Sequence, residues 1–278
     1  MSKRILTYNG IDLSTFGAHV SGEGAWVKPA PEYERISVPG RSGDVLLYNG
    51  RYSNVDITYR FGITNDFDEN YNGLIAALMG SPGYRKLVDS KHPGVYRMAA
   101  VDKGIAPVMT DQQSVGEFEV TFNCKPQTYL DEGEEVASTW NGDMHQTSVI
   151  TNPTAFEARP LIKITLSSSS VTDFVFETES YKQGDKLATR KAVTFTFANG
   201  TGSISSPIYY DTKTGDVYDN NGNSLNQYVK TERYIGNSKY VYDDPAIPGG
   251  YSFQAYIYGT AHYSKFTSIE IIPRWWRL

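Results

Sequence analysis

The sequence predicts a mainly β protein in two parts: an N-terminal β-rich α+β domain with one helix, then a C-terminal antiparallel β-sandwich of the jelly-roll kind. Three observations predict it. Apolar and polar residues alternate with period two along most of the chain. Only one stretch carries helical periodicity. A polar, acidic and proline-broken segment over 131–160 separates the two halves, and the domains are set at 1–135 and 136–278.

Taken in order, "ILTYNGIDL" places Asn9-Gly10 between two short apolar runs and reads as a strand, a two-residue turn and a strand, because a type I′ turn needs positive φ at both central positions. The same reading applies to Asn49-Gly50. Val45 and Leu47 precede it, and Val55, Ile57, Tyr59 and Phe61 follow it in alternation with Asp56, Thr58 and Arg60. The expectation is a half-buried hairpin with one polar face, entered through the flexible basic loop Gly40-Arg41-Ser42-Gly43-Asp44.

The helix runs from about Asp66 to Met79. Tyr71, Leu74, Ile75 and Leu78 fall at helical spacing, acidic residues suit its start, and Gly80 and Pro82 stop it. "YRKLVDS", "VYRMAAVD" and "EFEVTFNC" follow as strands, the last with Phe118, Val120, Phe122 and Cys124 on one face. Beyond residue 160 only short strands recur, among them "LIKITL", "DFVFET", "AVTFTFA", "PIYYD", "GDVYD", "YSFQAYIYG" and "TSIEIIP", punctuated by Gly, Asn and Asp.

Composition excludes several functions. The 278 residues carry a net charge of −5, with 13 basic and 14 acidic residues up to position 130 and 13 and 17 beyond it. Neither half is basic, which argues against sequence-specific nucleic-acid binding. A passive channel needs no such charge. A single cysteine rules out an intrachain disulfide and fits a reducing compartment. Met1-Ser2-Lys3-Arg4 has the charge of a signal peptide without the apolar core, and no apolar run approaches membrane-spanning length. No membrane insertion is expected.

The candidate chemistry is incomplete at each point. Gly40-Arg41-Ser42-Gly43-Asp44 lacks the last glycine of a nucleophile elbow and the lysine of a P-loop. Asp68-Glu69-Asn70-Tyr71-Asn72-Gly73 begins like an EF-hand loop, but Met79 stands where a bidentate glutamate is needed. Asp219-Asn220-Asn221-Gly222-Asn223 reads as a turn. His19, His92, His145 and His262 are scattered without ligand spacing, and Cys124 reads as a small core residue. The reading is therefore a non-enzyme with no catalytic residues, cofactor or metal. Tyrosine is the compositional oddity: eleven of 21 lie between Tyr209 and Tyr263. They suit strand packing, and they also suit a sugar- or protein-binding face. Alternation turns Phe253, Ala255 and Ile257 inward and makes Tyr256 and Tyr258 a candidate outward aromatic face.

The order of these pieces resembles a known family. "YNGIDLSTFGAHVSG", "VPGRSGDVLLYNGRYSNVDITYRFGI", one helix, "YRKLVDSKHPGVYRMAAVD" and "GEFEVTFNCKPQTYL", followed by "NPTAFEARPLIKI", "IYYDTKTGDVYD" and "IEIIPRWWRL", are similar to the distal tail proteins of long-tailed, non-contractile phages. The resemblance implies a homo-hexameric ring at the virion tail tip, assembled in the host cytoplasm. The first domain would form the ring and join the tail tube protein to the tail-associated hub protein. The second, galectin-like sandwich would project outward and carry receptor-binding proteins or meet host cell-wall glycan. The expected subunit interface is Arg41, Asn49, Gly50, Asp56, Thr58 and Arg60. A carbohydrate-binding module using the sandwich tyrosines is the alternative.

Overall fold

The computed structural model describes residues 4–21, 26–109, 115–140, 146–166, 171–182, 189–197, 204, 206–235, 238–241, 244–258 and 266–278. Among these residues the chain is mainly β with one α-helix. It divides into two compact units, Met1–Tyr129 with Leu278, and Leu130–Arg277. The division falls a few residues before the expected one: the turn Asp131–Gly133 belongs to the second unit, where the Arg274 amide donates to the Gly133 carbonyl.

The first unit contains β1 (Leu6–Tyr8), β2 (Ile11–Asp12), β3 (Ala18–Ser21), β4 (Pro31–Ile36), β5 (Val45–Tyr52), β6 (Val55–Ile63), α1 (Phe67–Met79), β7 (Arg85–Asp89), β8 (Val95–Ala100), β9 (Pro107–Met109) and β10 (Gly116–Leu130). Asn9 and Gly10, both at positive φ, turn β1 into β2 as expected. The main sheet runs β2-β1-β7-β8-β10-β6-β3, and β9 also pairs with β10. β10 is long and central because Phe118, Val120, Phe122 and Cys124 oppose Phe61, Tyr59, Ile57 and Val55 across an unbroken antiparallel register. All eight side chains are buried. Phe67, Leu74 and Leu78 of α1 close the core over this face, while Tyr71 donates its hydroxyl to the Ile105 carbonyl at 2.9 Å.

The expected hairpin at Asn49-Gly50 is not formed. β5 is continuous through both residues and pairs with β4, not with β6. The register shows why: Pro31 faces Tyr52 while Tyr33 faces Tyr48, so β5 carries two extra residues at this point. Gly50 does have positive φ, 75°, but it supplies a bulge, a second structure that needs a left-handed residue. The true hairpin loop is Ser37–Asp44, between β4 and β5. The expected burial of Val45 and Leu47 also fails, since β5 is exposed from Val45 to Arg51. From Val55 onward the expected alternation is present, with apolar residues buried and Asp56, Thr58 and Arg60 exposed.

The second unit contains β11 (Ser138–Trp140), β12 (Ile150–Thr151), β13 (Leu161–Leu166), β14 (Asp173–Tyr181), β15 (Thr189–Thr196), β16 (Ile208–Asp211), β17 (Asp216–Tyr218), β18 (Val229–Ile235), β19 (Ser238–Val241), β20 (Ser252–Tyr258) and β21 (Phe266–Ile272). One sheet has the order β11-β21-β13-β16-β17 and the other β12-β20-β14-β15-β18-β19. Their inner faces share one core: Ile162, Ile164, Ile269 and Ile271 from the first meet Phe174, Phe176, Phe195 and Phe253 from the second. This is the expected antiparallel sandwich. The segment read as a polar connection contributes to it, because Trp140 is buried.

Candidate assembly surface

The expected interface residues fall on two surfaces of the first unit. Arg41 lies in the exposed Ser37–Asp44 loop, and Asn49 and Gly50 lie in the β5 bulge. These belong to an arm made of β4 and β5. At its base the Ser53 amide and hydroxyl both donate to the Ala30 carbonyl, at 3.0 and 3.2 Å, and Arg51 Nε lies 2.6 Å from Glu32 Oε2. Beyond the base the two strands pack extensively only on each other. Tyr33 and Tyr48, directly opposed, bring their rings to 5.6 Å.

Asp56, Thr58 and Arg60 lie on the outer face of β6, opposite Asn123, Thr121 and Glu119 of β10. Asp56 accepts from Asn123 Nδ2 at 3.0 Å and pairs with Lys103. Those hydrogen bonds, Lys103 first, hold its carboxyl below the usual range. The Thr58 and Thr121 hydroxyls are 2.9 Å apart. Arg60 Nε stands 3.7 Å from Glu117 and 3.9 Å from Glu119, a loose arrangement of one cation with two carboxylates. Of these groups Arg60, Lys103, Glu117, Glu119 and Thr121 border an open cleft of about 500 Å³ that also includes Phe118 and Val108.

A buried polar cluster in the same unit was not anticipated from sequence. Arg4 donates through Nε to Asp89 Oδ1 at 3.0 Å and through Nη2 to Oδ2. Tyr59 donates to Asp89 Oδ2 at 3.1 Å and accepts from Trp26 Nε1 at 2.9 Å. Burial alone pushes the Asp89 carboxyl up, but the Arg4 hydrogen bonds, the Lys91 amide and the Tyr59 hydroxyl outweigh it, so the group stays below its ordinary value. Arg97 is fully buried beside Trp26 and donates to the Val27 carbonyl at 3.1 Å. Partners 85 residues apart leave no local signal.

The candidate chemical residues are dispersed over both units. Ser42 is in the exposed arm loop. Burial pushes the Cys124 thiol up to about 12. His92 stacks on Trp26 at 4.2 Å, and burial lowers its pKa. His19 is exposed, while His145 and His262 lie outside the described residues. Both Asp219 oxygens accept within its own turn, from the Asn221 and Asn223 amides and from Asn223 Nδ2, each at 2.9 Å. Asp68 and Gly73 are part of α1. Among the described residues, no three His, Cys, Asp or Glu side chains come together as a metal site. No helix among them is long and apolar enough to cross a membrane.

In the second unit Phe253, Ala255 and Ile257 are buried as expected, and Tyr256 is half-buried. Its hydroxyl lies 2.8 Å from Glu179 Oε2 and 3.1 Å from Gln254 Oε1. The side chain of Tyr258 lies outside the described residues, as do those of Tyr234, Tyr240, Tyr242 and Tyr263. Elsewhere tyrosines serve packing: Tyr210 is buried, and Tyr209 stacks on Tyr218 at 5.3 Å.

This architecture has a counterpart among solved structures. Over the full length of both chains, the fold is similar to SPP1 Dit (gp 19.1), described as a paradigm of the hub adsorption apparatus in phages infecting Gram-positive hosts, with 12% identity and a TM-score of 0.62. No family model matches the sequence, and no curated protein does.

Proposed function

We propose that this chain is a structural, non-enzymatic protein of a phage tail tip, forming a hexameric ring that joins the tail tube to the tail-associated hub and supports host-adsorption components. The observation that carries the reading is the end-to-end likeness of both units, in one chain, to a phage hub adsorption protein. The exposed arm supports it. A two-stranded ribbon with no third layer is marginal in water and gains stability when something covers it. Heterologous contacts that close on themselves make rings. Galectin-like character and outward projection of the sandwich belong to the same reading. Negative-stain images of the purified protein test it: six-fold rings with a central hole are expected, and only monomers at micromolar and higher concentration would reject it.

Carbohydrate binding on the Tyr256 face is the weaker reading, because the tyrosine hydroxyl already meets Glu179 and Gln254. Saturable glycan binding by residues 136–278 would restore it.

A further inference from the structure

We infer that the β4–β5 arm is the element that joins copies of this chain, and that its Tyr33–Arg35–Leu46–Tyr48 face seats in the Val108 cleft of a second copy. The inference rests on the ring reading and adds which surfaces meet.

The arm concentrates apolar surface that its own unit does not use. Tyr33, Ile36, Val45, Leu46, Leu47 and Tyr48 are 36 to 53% exposed. The two sides of the ribbon together offer on the order of 600 Å², at the top of the range for the largest apolar patch on a monomer. The register sorts them. Tyr33 faces Tyr48 and Arg35 faces Leu46, so these four share one side of the ribbon; Glu34, Ile36, Val45 and Leu47 share the other.

The cleft complements the first side in shape and charge. Val108, at 73%, is the most exposed of the large hydrophobic residues described. It sits on β9, a three-residue strand that pairs with β10 on one side. Around it, Lys103 is committed to Asp56, which leaves Glu117 and Glu119 to share Arg60 at 3.7 and 3.9 Å. The cleft thus holds one carboxylate more than it neutralises. Arg35 has no ion-pair partner among the described residues and stands between Tyr33 and Leu46 on the arm. Seating this face covers Val108 with Leu46 and Tyr48 and brings the guanidinium to the surplus carboxylate. Arm and cleft are different surfaces, so the contact runs head to tail when each copy lends its arm to the next, and such a chain of contacts closes as a ring.

The test uses the full chain. Cys124 is buried and unreactive, so engineered cysteines report cleanly. Protein carrying Leu46→Cys is mixed with protein carrying Val108→Cys and oxidised. Disulfide-linked pairs of the two variants are expected, with each variant alone giving at most a trace. In parallel, residues 32–51 are replaced by Asn-Gly, bridging Pro31 and Tyr52, which already face each other. This variant is expected to be monomeric by light scattering while keeping the wild-type melting temperature and an unreactive Cys124. If the shortened chain assembles like wild type, the arm inference falls and the ring stands. If wild type assembles and needs the arm but the mixed pair does not crosslink, the Val108 cleft is the wrong seat. If wild type is monomeric throughout, the ring reading and this one fail together.

Discussion

Arg4 and Asp89, 85 positions apart, meet as a buried two-pronged ion pair that ties the stretch just ahead of β1 to the end of β7. The Asp89 side chain is fully buried and that of Arg4 is 5% exposed. Charges so placed are costly to leave single, so the pair is a constraint on the fold more than a source of net stability.

Arg4→Met should therefore strand the carboxylate and destabilise the first unit by about 3–5 kcal/mol. The double variant Arg4→Met, Asp89→Leu should recover much of that loss. Calorimetry of the three proteins checks this; equal stability of the single variant and wild type would refute it.

The same pair sets an acid response. The folded-state pKa of Asp89 is depressed, so its contribution is present above the ordinary aspartate pKa, about 3.9, and is lost as pH falls through the lower folded value. The melting temperature of the first unit should fall in that acid range, and the fall should be smaller in the double variant. Parallel pH profiles for the two proteins would contradict it.

Cys124 should be silent toward a disulfide reagent at pH 8 and titrate fully in denaturant, because only the thiolate attacks and burial keeps the thiol protonated. Its labelling rate then reports opening of the first unit alone. Fast labelling under native conditions would disprove the burial described for β10.

Phe174 of β14 is fully buried and stacks on Phe195 at 4.4 Å. Phe174→Ala should cost the second unit about 3–5 kcal/mol. The first unit has its own core, so its transition should stay in place; a common shift of both would show that the units unfold together.

Gly50→Val places a β-branched residue at a φ of 75° with no neighbour within 4 Å of its Cβ, so the penalty is backbone strain of about 1–3 kcal/mol confined to the bulge. Sedimentation should show weakened association with little change in the melting of the β6–β10 sheet. Unaltered association would remove the bulge from the assembly surface.

β6, β10 and α1 were legible because their periodicity is satisfied within the unit itself: Ile57, Phe61, Val120 and Leu74 all turn inward. The arm was not legible for two physical reasons. Asn-Gly serves a tight turn at 9–10 and a bulge at 49–50, and both structures ask for the same left-handed glycine. Val45 and Leu47 alternate as a buried strand would, yet nothing in their own unit covers them. Of the expected interface, the outer position of Asp56, Thr58 and Arg60 followed from alternation, whereas Val108 required the β9–β10 register and the shared Arg60–Glu117–Glu119 arrangement the β6–β10 register. Arg4 and Asp89 carry no periodic signature.

The central place of β10 bears on synthesis. In the main sheet it stands between β8 and β6, although it is the last of the three in the chain. A ribosome therefore releases β6 and β8 with open edges, and the sheet can close only once Gly116–Leu130 has emerged. The sandwich repeats the arrangement, since β21 lies between β11 and β13 and is translated after both. Each unit must wait, with unpaired strands, for the segment that completes it. Nascent chains stalled before residue 116 or before residue 266 should accordingly be the ones that chaperones hold.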